Sequence, residues 1–272
     1  MTQEVYMLFP HFKKKALTLS YDDGVVQDER LLAIFGKYGL RGTFNLNSGL
    51  FADDFGRMSQ EKAVSLYAKY GQEVAAHGVK HLSLVKLSAD EMEQEIGNDK
   101  KALERLFRVP ITGMAYAYGA TNDNVIEILK KCGIEYARLA GETGTFALPT
   151  EWHRWQPTCH HNSARLFPLC ERFVNETEEC PWLFYLWGHS YEFDEKGNWD
   201  VIERFAAYMS GRANIWYATN GEINGYVKAY EQLQWTDESM VYNPTDVDVY
   251  ICAFGNHYKI GAGKKVDVQP KL

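Results

Sequence analysis

Ala16-Leu-Thr-Leu-Ser-Tyr21-Asp22-Asp23-Gly24 is an apolar run that ends in two adjacent carboxylates and a glycine. Its length and composition suit a β-strand, which delivers whatever follows it to the edge of a sheet. Two neighbouring carboxylates at such an end can do different jobs: one can ligate a cation while the other takes a proton from water. Gly24 permits the sharp exit that the backbone then needs. Three histidines further along, His77, His81 and His189, can complete a metal-dependent hydrolytic site with this pair.

Outward from that strand, short β-rich runs alternate with helical patterns. The expected strands are Ala16 to Tyr21, Gly42 to Asn47, Glu73 to Ala76, Gly113 to Tyr118, Tyr136 to Leu139, Trp182 to Trp187 and Ile215 to Thr219. The expected helices include Asp28 to Tyr38, Ser59 to Tyr70, Ala89 to Phe107, Thr121 to Lys131 and Val201 to Ser210, several opened by a Ser, Thr or Asp suited to an N-cap. Seven such repeats predict an α/β fold with parallel strands, curled into a closed or nearly closed barrel. Asp22-Asp23, His77, Tyr118-Gly119 and His189 each fall at the C-terminal end of an expected strand, the rim where β/α barrels assemble their sites. Taken singly, an Asp-Gly pair is usually a turn and a lone His a satisfied surface or core residue. It is the coincidence of four strand ends that points to a site.

His77-Gly-Val-Lys-His81 has a four-residue spacing that would bring both imidazoles to one side of a helical turn, within reach of one cation. The spacing is like the HExxH of zinc proteases, but Gly78 stands where that motif has its catalytic Glu. A base must come from elsewhere, and Asp22 is available.

These residues resemble the polysaccharide deacetylases, carbohydrate esterase family four, over roughly residues 14 to 225. The family's Thr-Phe-Asp-Asp-Gly motif is similar to Leu19-Ser-Tyr-Asp22-Asp23-Gly24, its His-x-x-x-His motif to His77 and His81, and its late Leu-x-His motif to Leu186-Trp187-Gly188-His189 with one extra residue. The resemblance implies a distorted (β/α)7 barrel and a deacetylase acting on N- or O-acetylated carbohydrate. It implies that Asp23, His77 and His81 hold one divalent ion, zinc being the expected one, although this donor set also suits cobalt, nickel and iron. Asp22 would be the general base, His189 the general acid, and the backbone N–H of Tyr118 an oxyanion donor.

The third motif departs from the family pattern. Ala115 occupies the place of an Arg that orients the catalytic Asp, and Arg138 and Arg154 are the candidate substitutes. An ordinary surface ion pair is an equal reading for each. Trp152 to His161 takes the place of the fourth motif, where Trp155 is the expected wall of the pocket and no Asp is evident. Cys159-His160-His161 suggests a second metal site, but consecutive histidines on a strand point to opposite faces, so a structural or substrate-facing role is preferred. Trp187, Tyr21, Tyr116 and Tyr118 are expected to cluster near the metal, unless they are simply core. Asn45 and Asn47 share one strand face and can donate at the rim.

Composition bounds the rest. The chain has 272 residues, 46% hydrophobic and 24% charged, with net charge −7 and scattered Lys and Arg, so the basic footprint of a nucleic-acid binder is missing. Five cysteines without a CxxC pair argue for reduced thiols. No apolar run reaches the ~18 residues of a membrane span, and the first residues lack a secretory pattern, so the expectation is a cytoplasmic protein without a membrane partner. The expected division is a barrel over 1–226 and a helix plus small β-rich extension over 227–272, too short to carry a core alone and so packed on the barrel or a partner. The substrate is expected to be a carbohydrate or a small amide. A catalytically silent sugar binder is the alternative, and assembly into a homo-oligomer is left open.

Overall fold

The computed structural model describes residues 5–177, 181–236 and 239–269. Strand β1 (Val5–Leu8) precedes the barrel, whose strands are β2 (Lys15–Asp22), β3 (Thr43–Leu46), β4 (Glu73–Ala76), β5 (Gly113–Ala115), β6 (Tyr136–Arg138), β7 (Cys159–His160) and β8 (Trp182–Gly188). They pair in parallel in the order β6-β5-β4-β3-β2-β8-β7. The ring closes through the chain just before β7: Trp155 bridges Arg138 in parallel, and three residues beyond it the Thr158 N–H donates to the carbonyl of Tyr185. Strand β9 (Ile215–Tyr217) lies off this path, wedged beside the start of β2. The seven-stranded distorted barrel is therefore as expected, but its membership differs. Ile215 to Thr219 is not a ring strand, and its place is taken by the two-residue β7, too short to give a periodic signal.

Helices α1 (Asp28–Tyr38), α2 (Gln60–Lys69), α3 (Ala89–Phe107), α4 (Asp123–Lys131), α5 (Leu166–Asn175), α6 (Tyr191–Glu195), α7 (Trp199–Met209) and α8 (Asn220–Glu231) surround the strands. α3 opens on a complete capping box, with Ser88 and Glu91 each satisfying the other's backbone, worth about 1 kcal/mol. α5 and α6 were not among the expected helices. Strand β2 is buried along all eight residues, and its two faces meet different surroundings. Leu17, Leu19 and Tyr21 face the helices, while Ser20 and Asp22 share the opposite face with Asn45. Tyr21 is therefore fully buried, stacked on Phe44 and His161, and does not join the rim aromatics as expected.

The extension comprises β10 (Gln234–Trp235), β11 (Met240–Tyr242), β12 (Val249–Ala253), β13 (Asn256–Ile260) and β14 (Lys265–Asp267). β1 pairs antiparallel with β12, so the extension's sheet recruits the start of the chain across the expected boundary at Tyr226. Its core of Val241, Val249, Ile251 and Ile260 is completed by Ala229 of α8. Cys132, Cys159, Cys170 and Cys252 are free thiols, and Cys180 lies outside the described residues. Among the described residues no helix is long and apolar enough to cross a membrane.

Candidate active site

The C-terminal ends of the strands carry Asp22 from β2, His77 after β4, the Tyr116–Gly119 turn after β5, Arg138 from β6, and His189 after β8. They line one cleft of about 230 Å³ together with Asp23, His81, Trp187 and Tyr191. Parallel pairing puts every such end on one rim, so residues 167 positions apart in the chain become neighbours.

Asp23, His77 and His81 bring ligating atoms within 4.8 Å of one another. His77 Nδ1 lies 2.8 Å from the carbonyl oxygen of Ala115, an atom that can only accept, so the ring proton sits on Nδ1 and Nε2 is left bare. That Nε2 is buried and has no hydrogen-bond partner. A buried imidazole with one nitrogen locked by a carbonyl and the other open is the arrangement a metal ligand requires. Burial and the neighbouring His77 push His81 down to about 4, so its imidazole is neutral at pH 7. The donor set of two imidazoles and one carboxylate thus fits a divalent ion.

The His77 to His81 segment is a loop, not the helical turn its spacing suggested. Gly78 (φ 85°) and His81 (φ 57°) both adopt left-handed backbone, as do Asp23 (φ 78°) and Tyr118 (φ 60°). Non-glycine residues pay about 1 kcal/mol or more for that region, and here three of them meet in one cleft. Fixed imidazole and carboxylate positions come from this loop geometry rather than from regular structure.

Asp22 is gripped from two sides. Arg138 donates to its Oδ2 and Asn45 Nδ2 to its Oδ1 at 2.8 Å, with His77 Nε2 at 4.0 Å and His189 Nε2 at 3.7 Å. Burial alone would raise its pKa, but Arg138, His77 and His189 outweigh burial and hold the carboxyl well below the usual range. The Arg138 guanidinium also lies 4.5 Å from the ring of Trp187. Asn47 donates to the carbonyls of His77 and Gly78, at 2.8 and 2.9 Å. Both asparagines on that strand face therefore support the rim from beneath.

Two expected site residues lie elsewhere. Arg154 pairs with Glu151 and Asp123 on the surface, because the turn that carries it points outward before the chain re-enters the ring. Trp155 is fully buried against Trp152, Tyr136 and Tyr185 and does not wall the cleft. Its backbone pairs with Ala137 and Leu139 of the adjacent strand, which commits its side chain to packing. Trp187 and the 72% exposed Tyr118 supply the aromatic surface instead, while Tyr116 is buried beneath it.

Two charged residues at the site were not anticipated. Arg57 donates to Asp23 Oδ1 at 2.8 Å and to Asp53 at 2.7 Å. Glu192 of α6 sits among three imidazoles: His161 Nε2 at 2.9 Å, His160 Nε2 at 3.1 Å and His189 Nδ1 at 3.6 Å. Burial opposes its charge, yet those three rings hold it well below the usual carboxylate range. For His189, burial favours the neutral ring, but Glu192, Asp22 and Asp23 together raise its pKa above the usual value. The i, i+3 spacing of His189 and Glu192 was the available signal for this pair.

Residues 10–137 match the family model described as polysaccharide deacetylase. A protein of Bacillus subtilis (strain 168), YxkH, whose name assigns it to the polysaccharide deacetylases, is 22% identical over 123 residues, 45% of this chain and 43% of its own length. The chain thus spans less than half the length of the curated relative it matches. A Mycobacterium smegmatis structure assigned to the same class superposes with a TM-score of 0.62 at 16% identity, covering 83% of this chain and 94% of that one. A Bacillus anthracis protein, BA3943, described as a carbohydrate esterase family 4 pseudoenzyme, gives 0.51 at 16% identity over 80% of this chain and 68% of its own. Likeness at this level is one of fold.

Proposed function

We propose that this chain, whose residues 10–137 match the polysaccharide deacetylase model, is a metal-dependent hydrolase that removes acetyl groups from N-acetylated or O-acetylated carbohydrate. The observation that carries the reading is the buried, unpartnered Nε2 of His77, aimed at a point it shares with Asp23 and His81. A pseudoenzyme shares this kind of fold, so activity depends on the site residues themselves.

Asp23, His77 and His81 would hold the ion, with zinc first in expectation. Such an ion supplies Lewis acidity, lowering the pKa of a water and drawing charge from an acyl oxygen. Asp22, ionised and steered by Arg138 and Asn45, takes the proton from the attacking water. Arg138 thereby does the work of the arginine absent at Ala115. The N–H of Tyr118 donates to the oxygen that gains charge. His189, whose raised pKa favours the imidazolium, protonates the departing amine or alkoxide. Trp187 and Tyr118 offer flat apolar faces to a sugar ring and an acetyl methyl.

The test is acetate release from N-acetylated and O-acetylated oligosaccharides by zinc-loaded protein, beside Asp22→Asn. The variant should keep its metal and lose about 10²- to 10⁴-fold in turnover, the usual worth of a general base. Sugar binding without acetate release from the parent protein would move the reading to a silent binder.

A further inference from the structure

The loop that carries His77 and His81 is held by two carboxylates of α3 that take no part in the chemistry above. Asp99 is fully buried. Its Oδ2 accepts from the N–H of His77 at 2.9 Å and of Gly78 at 2.8 Å, and its Oδ1 from the N–H of Ser48 at 2.7 Å. Glu95, one helical turn earlier and 6% exposed, accepts from the N–H of Lys80 at 2.7 Å and of Leu82 at 3.3 Å through Oε1. Its backbone carbonyl takes the N–H of Val79 at 3.2 Å. An i, i+4 pair on one helix face therefore receives the amides of the loop almost in sequence.

The contacts explain two features of the loop. A side chain at position 78 would meet Glu95 Oε1 at 2.8 Å, so this residue is glycine for the carboxylate's sake as well as for its φ of 85°. His81 adopts its left-handed backbone between Lys80 and Leu82, the two residues whose amides Glu95 binds. Isolated loops do not hold a non-glycine residue there; the surroundings must over-determine it.

We infer that Glu95 and Asp99 are positioning residues for the metal centre, acting through the backbone of the ligand loop to set its affinity for a divalent ion. The inference rests on the proposed metal site. Buried carboxylates that merely satisfy amides would contribute to folding and leave the metal affinity of folded protein alone. Both Asp99 oxygens are used, so Asn must turn an NH₂ group towards an amide donor. Glu95 binds amides through one oxygen, which Gln retains.

The experiment titrates zinc into metal-free parent, Asp99→Asn, Glu95→Ala, Glu95→Gln and a packing control, Leu103→Ala, a fully buried residue of the same helix. Amide exchange at Gly78, Lys80 and Leu82 is followed alongside. Asp99→Asn and Glu95→Ala should weaken zinc by about 10- to 100-fold, as loss of support around a ligand does, and speed exchange at those amides. Glu95→Gln should stay within about 3-fold by the same measure, and Leu103→Ala should lower the unfolding temperature with zinc affinity unchanged. If Asp99→Asn does not fold, the Glu95 pair decides. Parent protein that binds no zinc overturns the metal centre and this inference together. Normal binding by the parent with unchanged affinity in Asp99→Asn or Glu95→Ala, or equal weakening in Leu103→Ala, overturns the inference alone.

Discussion

His77 and His81 with Asp23, and His160 and His161 with Glu192, are both histidine pairs with a carboxylate whose ligating atoms lie within 4.8 Å of one another. Their ring nitrogens face different partners. His77 gives its Nδ1 proton to the Ala115 carbonyl and keeps a bare Nε2. His160 Nδ1 instead accepts the N–H of Asn162 at 3.1 Å, which forces the proton onto Nε2, opposite Glu192. The first pair offers lone pairs to a cation; the second offers protons to an anion. Proximity of histidines is thus no measure of ligation. What the far nitrogen binds decides which face of the ring is open.

The comparison breaks most visibly in metal content. His77→Ala combined with His81→Ala should abolish zinc binding and acetate release, whereas His160→Ala combined with His161→Ala should leave one ion per chain by elemental analysis. Two ions in the parent, or none in the second double variant, would put a metal in the Glu192 cluster.

Glu192→Gln sharpens the contrast kinetically. Glu192, Asp22 and Asp23 raise the pKa of His189 against the effect of burial, and the variant removes one of the three charges. The alkaline limb of kcat/KM, which requires protonated His189, should move to lower pH, and activity at neutral pH should fall about 10-fold, the worth of a charged hydrogen bond. An unmoved limb would mean that Glu192 serves only packing.

The smallest effect concerns Asp28, fully buried beside this cluster, which accepts from Ser190 Oγ and Tyr67 OH, each at 2.6 Å. Burial pushes its carboxyl up to about 7, against the pull of both hydroxyls. Its folded pKa exceeds the unfolded value of about 3.9. The stability it contributes is therefore complete below pH 4 and lost as pH rises through 7. Asp28→Asn, which mimics the neutral acid, should gain stability over the parent from pH 4 to 7 and hold that gain above it. Urea midpoints at pH 4.5, 6 and 8 measure this, and parallel curves would contradict it.

The strand-end rule made most of the rim legible. Asp22, Asp23, His77, Tyr118 and His189 could be aligned before any packing was known, because parallel strands send all their C-terminal ends one way. Arg138 was legible only as one of two candidates, since nothing local separates it from Arg154. The decision came from Arg138 lying on a ring strand and Arg154 on an outward turn. Trp155 was expected as a pocket wall because its segment takes the place of the family's fourth motif, yet pairing with the adjacent strand directs it into the core.

By itself the sequence determined the barrel class, the candidate site residues and the family they resemble, because periodicity and short motifs are local properties. Only the tertiary structure decided which arginine faces Asp22, that β7 rather than β9 closes the ring, which histidine pair has open lone pairs, and that Glu95 and Asp99 hold the ligand loop. Most of these depend on partners far apart in the chain, 15 residues for Glu95 and Lys80, 38 for His77 and Ala115 and 116 for Arg138 and Asp22, and a hydrogen bond across such a separation leaves no periodic trace in the chain.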